Sequence, residues 1–159
     1  MEEKTEAVKS EETTVGLTMN YNPFSFISCQ EDALVLAGCI SHGLDADAIK
    51  KSGDLFATAR AMLLDACVCL LYRQGGDSMS MQGLVDLLQN DISHNEDQGM
   101  PSIKAAYDKI EADGATVEED LGLKRYRMFQ AIAYGETAIS VELDLYAKLS
   151  AMADRPLVG

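Results

Sequence analysis

The sequence predicts an all-α fold: a single compact bundle of about five to seven helices around a long central helix, with no sheet. Three observations carry this. Apolar residues recur at helical spacing in segment after segment. Helix start and stop signals bracket most of those segments. No sustained period-2 alternation marks a strand. At 159 residues and 47% hydrophobic content, the chain suits one domain with one core.

Residues 1–18 are charged, rich in Glu, Ser and Thr, and have little to bury. They are predicted to be a flexible acidic tail or linker. The all-α domain is expected over residues 19–155, with 156–159 as the C-terminal end. The segment Tyr21-Asn22-Pro23-Phe24-Ser25-Phe26-Ile27 opens it and holds three of the ten aromatic residues. Pro23 fixes its own φ and pushes Asn22 toward extended backbone. The segment is expected to act as an apolar clamp: Tyr21 and Pro23 shape it, and Phe24, Phe26 and Ile27 lie on the core.

The first helix is predicted from Gln30 to about His42, with Glu31 and Asp32 at the positive end of its dipole and Gly43 as its stop. A loop, Leu44–Lys51, follows. The second helix starts near Ser52, a good N-cap, and ends at Gly75-Gly76. Leu55, Phe56, Ala59, Leu63, Ala66, Cys67 and Leu70 cover more than one of its faces, which marks it as central. A third helix is predicted over Met81–Gln89, capped by Ser80. A polar loop, Asn90–Gly99, leads to Pro101, which suits the first turn of a fourth helix reaching Ala112. Ile103, Ala106, Tyr107 and Ile110 form its inner stripe. Thr116 and Glu119 match a capping box that would start a helix reaching Tyr134. Leu123, Tyr126, Phe129, Ile132 and Ala133 would face inward. Gly135 interrupts or kinks that run. A last helix, Glu136–Ala153, is expected to bury Ile139, Leu143, Tyr146 and Leu149. Pro156 ends the fold.

Charge narrows the function classes. Thirteen Lys and Arg stand against 26 Asp and Glu, a net charge of −13. Tight binding to bare phosphate backbones or anionic lipid needs the opposite sign. The balance suits a basic protein partner, or solubility. Cys67 and Cys69 sit in an apolar helix, and with Cys29 and Cys39 are read as reduced thiols acting as small hydrophobes. His42 and His94 are isolated, so no metal site is expected. The longest apolar stretch, around Leu55–Tyr72, is interrupted by Arg60 and Asp65 and reads as falling short of a membrane span. No phosphate loop, dinucleotide motif, H-E-x-x-H or calcium loop occurs. No catalytic residue and no cofactor is expected.

Asp65 lies in the central helix with Ala61, Met62, Val68 and Cys69 as its neighbours one turn away. Either it lies on a narrow wet stripe beside Arg60, or it is a buried carboxylate bonded to another element. Between Asp86 and Asp120 the chain carries ten acids against two lysines. Asp91, Glu96, Asp97, Glu118, Glu119 and Asp120 are the candidate partner-binding residues of that run. It is either a solvated face or an electrostatic docking surface for a basic substrate signal. Lys124, Arg125 and Arg127 read as helix-surface ion pairs.

Two segments resemble a known family. Tyr21-Asn22-Pro23-Phe24-Ser25-Phe26-Ile27 is similar to the Y-N-P-[FL]-x-[YF]-I stretch of type IV secretion coupling proteins, the TraG/TraD-like conjugative DNA-transfer ATPases. The run from Tyr126 to Ser140 resembles that family's late helices, with G-x-T-x-x-S at Gly135, Thr137 and Ser140. Between them, Ala57–Tyr72 and Met81–Leu88 resemble its long central helix and the short helix after it. The likeness spans roughly Met19 to Leu149, with each motif weak and their order more specific. It implies the all-α domain inserted in the motor, without the nucleotide-binding motifs. It implies a cytoplasmic recognition domain of a parent anchored in the bacterial inner membrane. The implied partners are a relaxase or accessory protein of the relaxosome and the parent motor domain, with no membrane contact by this segment. Two other readings remain at this point: a stand-alone acidic helical adaptor, and a single-strand DNA-binding domain. The latter would need basic grooves with stacking aromatics.

Overall fold

The computed structural model describes residues 22–44, 55–93 and 102–153. Expectations about residues 1–18, Tyr21, Ser52, Glu96, Asp97, Pro101 and Pro156 lie outside these. Six α-helices and no strand are present among the described residues: α1 (Gln30–Leu44), α2 (Leu55–Gln74), α3 (Met81–Ser93), α4 (Ile103–Ala112), α5 (Leu121–Ile132) and α6 (Glu136–Ala153). The all-α bundle expected from the helical spacing is the fold.

α2 is the hub, as its many-sided apolar surface requires. α1, α3, α5 and α6 all pack against it. An 18-residue window of this 20-residue helix has a mean hydropathy of 1.7, enough by length and composition alone for a membrane-crossing helix, although Arg60 and Asp65 interrupt it. Yet more than half of that apolar window is buried inside the bundle. Arg60 does not mark a wet stripe: it is buried and donates to Asp144 Oδ2 on α6 at 2.6 Å.

Tyr107 ties α4 to α2. Tyr107 is fully buried, donates its hydroxyl proton to the Ala66 carbonyl at 2.5 Å, and stacks on Tyr126 of α5 with ring centroids 5.2 Å apart. α5 approaches α2 closely because residue 122 is glycine. A β-carbon there would lie 2.5 Å from Tyr107 Oη and 2.7 Å from Cys69 Cβ. Ser102 caps α4 by accepting from the Ala105 amide, and Ser80 accepts from the Gly83 amide at the start of α3.

Three local expectations are corrected. Pro23–Phe26 is a 3-10 turn. At three residues per turn, side chains two apart diverge, so Phe24 is 0% exposed while Phe26 points outward at 70%. Thr116 does not cap a helix. Its carbonyl accepts from the Glu119 and Asp120 amides, closing a turn, and α5 begins at Leu121 with Asp120 as its cap. On α6 the buried stripe is Val141, Leu145 and Leu149, and Ile139 and Leu143 are exposed. α6 carries apolar residues on more than one face, so spacing alone admitted two stripes. Packing selected one of them after Gly135, at φ +62°, separated α6 from α5.

Candidate docking surface

The described basic groups are largely engaged within the bundle. Arg127 donates to Asp108 at 2.9 Å and to Glu111 at 2.6 Å. Lys104 pairs with Asp108 at 2.8 Å, and Lys109 with Asp113 at 3.0 Å. Arg125 pairs with Asp65, and Arg73 with Asp120. Every described arginine therefore sits in an ion pair, and Lys124, Arg125 and Arg127 do not make a basic patch. Asp108 is held below the usual carboxylate range by its hydrogen bonds from Lys104 and Arg127.

The predicted acidic surface divides. Glu118 and Glu119 are exposed and make no ion pair among the described residues. Asp120 is not a docking residue: it is 6% exposed. Its Oδ1 accepts from the Leu123 amide at 3.0 Å and from Gln30 Nε2 at 3.0 Å, while Oδ2 faces Arg73. Gln30 Oε1 in turn accepts from the Leu121 amide at 2.8 Å. One carboxylate thus joins α1, α2 and α5. A cap at a helix N-terminus needs an oxygen there, and closing that site on three helices leaves no room for a partner.

Asp91 is also spent on structure. It is half-buried, and its Oδ1 accepts from the Ile103 amide at 2.7 Å, which ties the end of α3 to the start of α4. Beside it lies Glu142 of α6. Burial, then the hydrogen bond to Asp91, push the Glu142 carboxyl well above the usual range, and its Oε2 has no hydrogen-bond partner among the described residues.

Asp65 fits the second reading in having its partner on another element, but it is half-buried, its side chain 14% exposed. Its partner is Arg125 Nη1 of α5, 3.3 Å away. Burial pushes its pKa up to about 6, against the opposing pull of Arg125. Cys67 and Cys69 are buried free thiols. Burial lifts Cys67 far above the ordinary thiol value and Cys69 to about 12, so neither is a ready nucleophile or ligand. Cys39, by contrast, is exposed. No group of His, Cys, Asp and Glu suited to a metal ion occurs among the described residues.

Of the residues expected to shape the domain, Pro23 and Phe24 do so, and Gly135 sits at the break between α5 and α6. Thr137 is exposed in the first turn of α6. Asn22 was missed. Its Oδ1 accepts from the Phe24 amide at 3.0 Å and its Nδ2 donates to the Met79 carbonyl at 2.8 Å. An Asn directly before a Pro is a turn signal that could have found it.

Sequence reading also missed a groove of about 500 Å³. Leu70 and Leu71 of α2, Leu87 of α3 and Ala106 of α4 give it an apolar floor. Gln74, Asp77, Gln82, Asp86 and Asn90 are exposed along its rim. Among the described residues, Asp77 and Asp86 make no ion pair and neither Lys nor Arg lines the groove. Asp77 lies in the glycine-flanked turn after α2 and Asp86 on the outer face of α3, so sequence distance hid their common neighbourhood. No protein-family model matches the chain, and comparison with curated proteins and with solved structures finds no match.

Proposed function

We propose that this chain is a substrate-recognition domain of a conjugative type IV secretion coupling protein. In this reading it docks a relaxase, an accessory protein of the relaxosome or another secreted protein through a basic region of that partner. The chain itself has no ATPase activity; the parent motor supplies it, from the cytoplasmic side of the inner membrane.

The observation that carries the reading is how charge is used. Every described arginine is paired within the bundle, whereas Asp77, Asp86, Glu118 and Glu119 are exposed without an ion pair among the described residues. Such a surface attracts a basic protein and repels nucleic acid, so recognition of the protein component is favoured over direct DNA binding. The all-α bundle and the core-anchored Phe24 that opens it agree with the resemblance.

The test is a pull-down of a relaxase and its accessory proteins by the 159-residue chain over a salt series. Capture that weakens as salt rises is expected, because exposed charges are screened over about 10 Å at ~0.1 M salt. No capture at low salt, or capture indifferent to salt, refutes the reading.

A further inference from the structure

We propose that the groove between α2, α3 and α4 is the docking site, and that its occupant is a basic amphipathic helix of a partner protein. This rests on the recognition reading above and gives it a location and a ligand chemistry.

The groove asks for two things at once. Half-exposed Leu87 and Ala106, backed by the buried Leu70 and Leu71, present an apolar floor, which an apolar side chain would cover. Asp77 and Asp86 stand on the rim as exposed carboxylates with no cation beside them among the described residues. A Lys or Arg flanking an apolar anchor meets both demands. A purely apolar segment leaves the carboxylates without a complement, and an acidic one is repelled. Nucleic acid and anionic lipid carry the wrong sign for this rim.

The form of the segment follows from the walls. They are helices and a glycine-flanked turn, with no strand among the described residues, so there is no sheet edge to which an extended peptide could add. Binding must come from side chains. A helix laid along a groove supplies them at i, i+3, i+4 and i+7 from one face, while its opposite flanks carry charge. The volume of about 500 Å³ has room for the anchoring face of such a helix rather than for a domain.

The probe is a fluorescein-labelled peptide of roughly four helical turns, with Leu at those spacings and Lys elsewhere. Its controls are a scrambled peptide of the same composition and one with Glu in place of Lys. Anisotropy with the full chain should show binding of the amphipathic peptide alone. The double variant Asp77→Asn/Asp86→Asn should weaken it about ten-fold or more, whereas Glu118→Gln/Glu119→Gln should change it less than about two-fold. Equal binding of the scrambled peptide, no binding of the probe, or indifference to the Asp77/Asp86 variant overturns the assignment. The relaxase pull-down separates the two proposals. Undiminished capture by the Asp77/Asp86 variant overturns the groove and leaves the recognition reading standing. No relaxase capture by a wild-type chain that binds the peptide supports the groove and refutes the relaxase reading.

Discussion

Replacing Asp65 by asparagine should make the protein more stable at neutral pH, although it removes an ion pair. Burial raises the Asp65 pKa from 3.8 to about 6 even with Arg125 at 3.3 Å. The desolvation cost of the charge therefore exceeds the attraction. A carboxyl whose folded pKa is raised binds more protons folded than unfolded, so its contribution to stability falls as pH rises from 3.8 toward 6. At ~1.36 kcal/mol per pKa unit, the fully ionised carboxylate costs about 3 kcal/mol, an upper bound. About half of that change falls between about pH 5 and about pH 8, a range that avoids the isoelectric region near 4.4. Arg125, one-third exposed, can turn to water in the variant. Urea unfolding of both proteins across this range is the assay. The Asn variant should gain on wild type by about 1.4 kcal/mol from the acid end to the alkaline end. Other titrating groups cancel in the difference. A stability difference that stays constant across the range would refute the argument from burial. An Asn variant that loses ground as pH rises would show that the Arg125 pair dominates.

The two phenylalanines of the opening turn should behave oppositely. Phe24→Ala should cost about 3–5 kcal/mol in chemical denaturation, and Phe26→Ala, at a residue 70% exposed, clearly less. Asp120→Ala should lower stability by about 2–4 kcal/mol, because it removes a cap and leaves Arg73 and Gln30 without their acceptor. Asp120→Asn keeps the cap and should lose less, as thermal unfolding would show. Gly122→Ala places a β-carbon against Tyr107 and Cys69 and should cost about 1–3 kcal/mol. Tyrosine fluorescence should report the disturbed Tyr107–Tyr126 stack in that variant.

What could be read from the sequence was set by the range of each interaction. Ile103, Tyr107 and Ile110 lie one turn apart, so local spacing found the inner face of α4. Ser80 was found as a cap because it bonds three residues away. Asp65 was recognised as odd because no neighbour within a turn could pair with it, but its partner sits on another helix. Asp120 failed for a related reason. Its capping bond is local, yet Thr116 four residues earlier offered the more familiar pattern, and Arg73 and Gln30 are distant in sequence. Asp91 looked like a loop acid because its acceptor role depends on where α4 docks. The groove was hidden because three helices and a turn must assemble before its rim and floor meet.

The groove draws its two parts from residues under unequal constraint. Leu70 and Leu71 belong to the core helix, and changing them would disturb the packing of the whole bundle. Gln74, Asp77, Gln82, Asp86 and Asn90 are exposed, and substitutions there touch little else. Descendants of this chain could therefore exchange rim residues, and with them the charge pattern they accept, while inheriting the same hydrophobic seat. Partner preference would drift over evolutionary time without the fold having to be reinvented, and a library randomised at those five rim positions would be a direct route to new specificities.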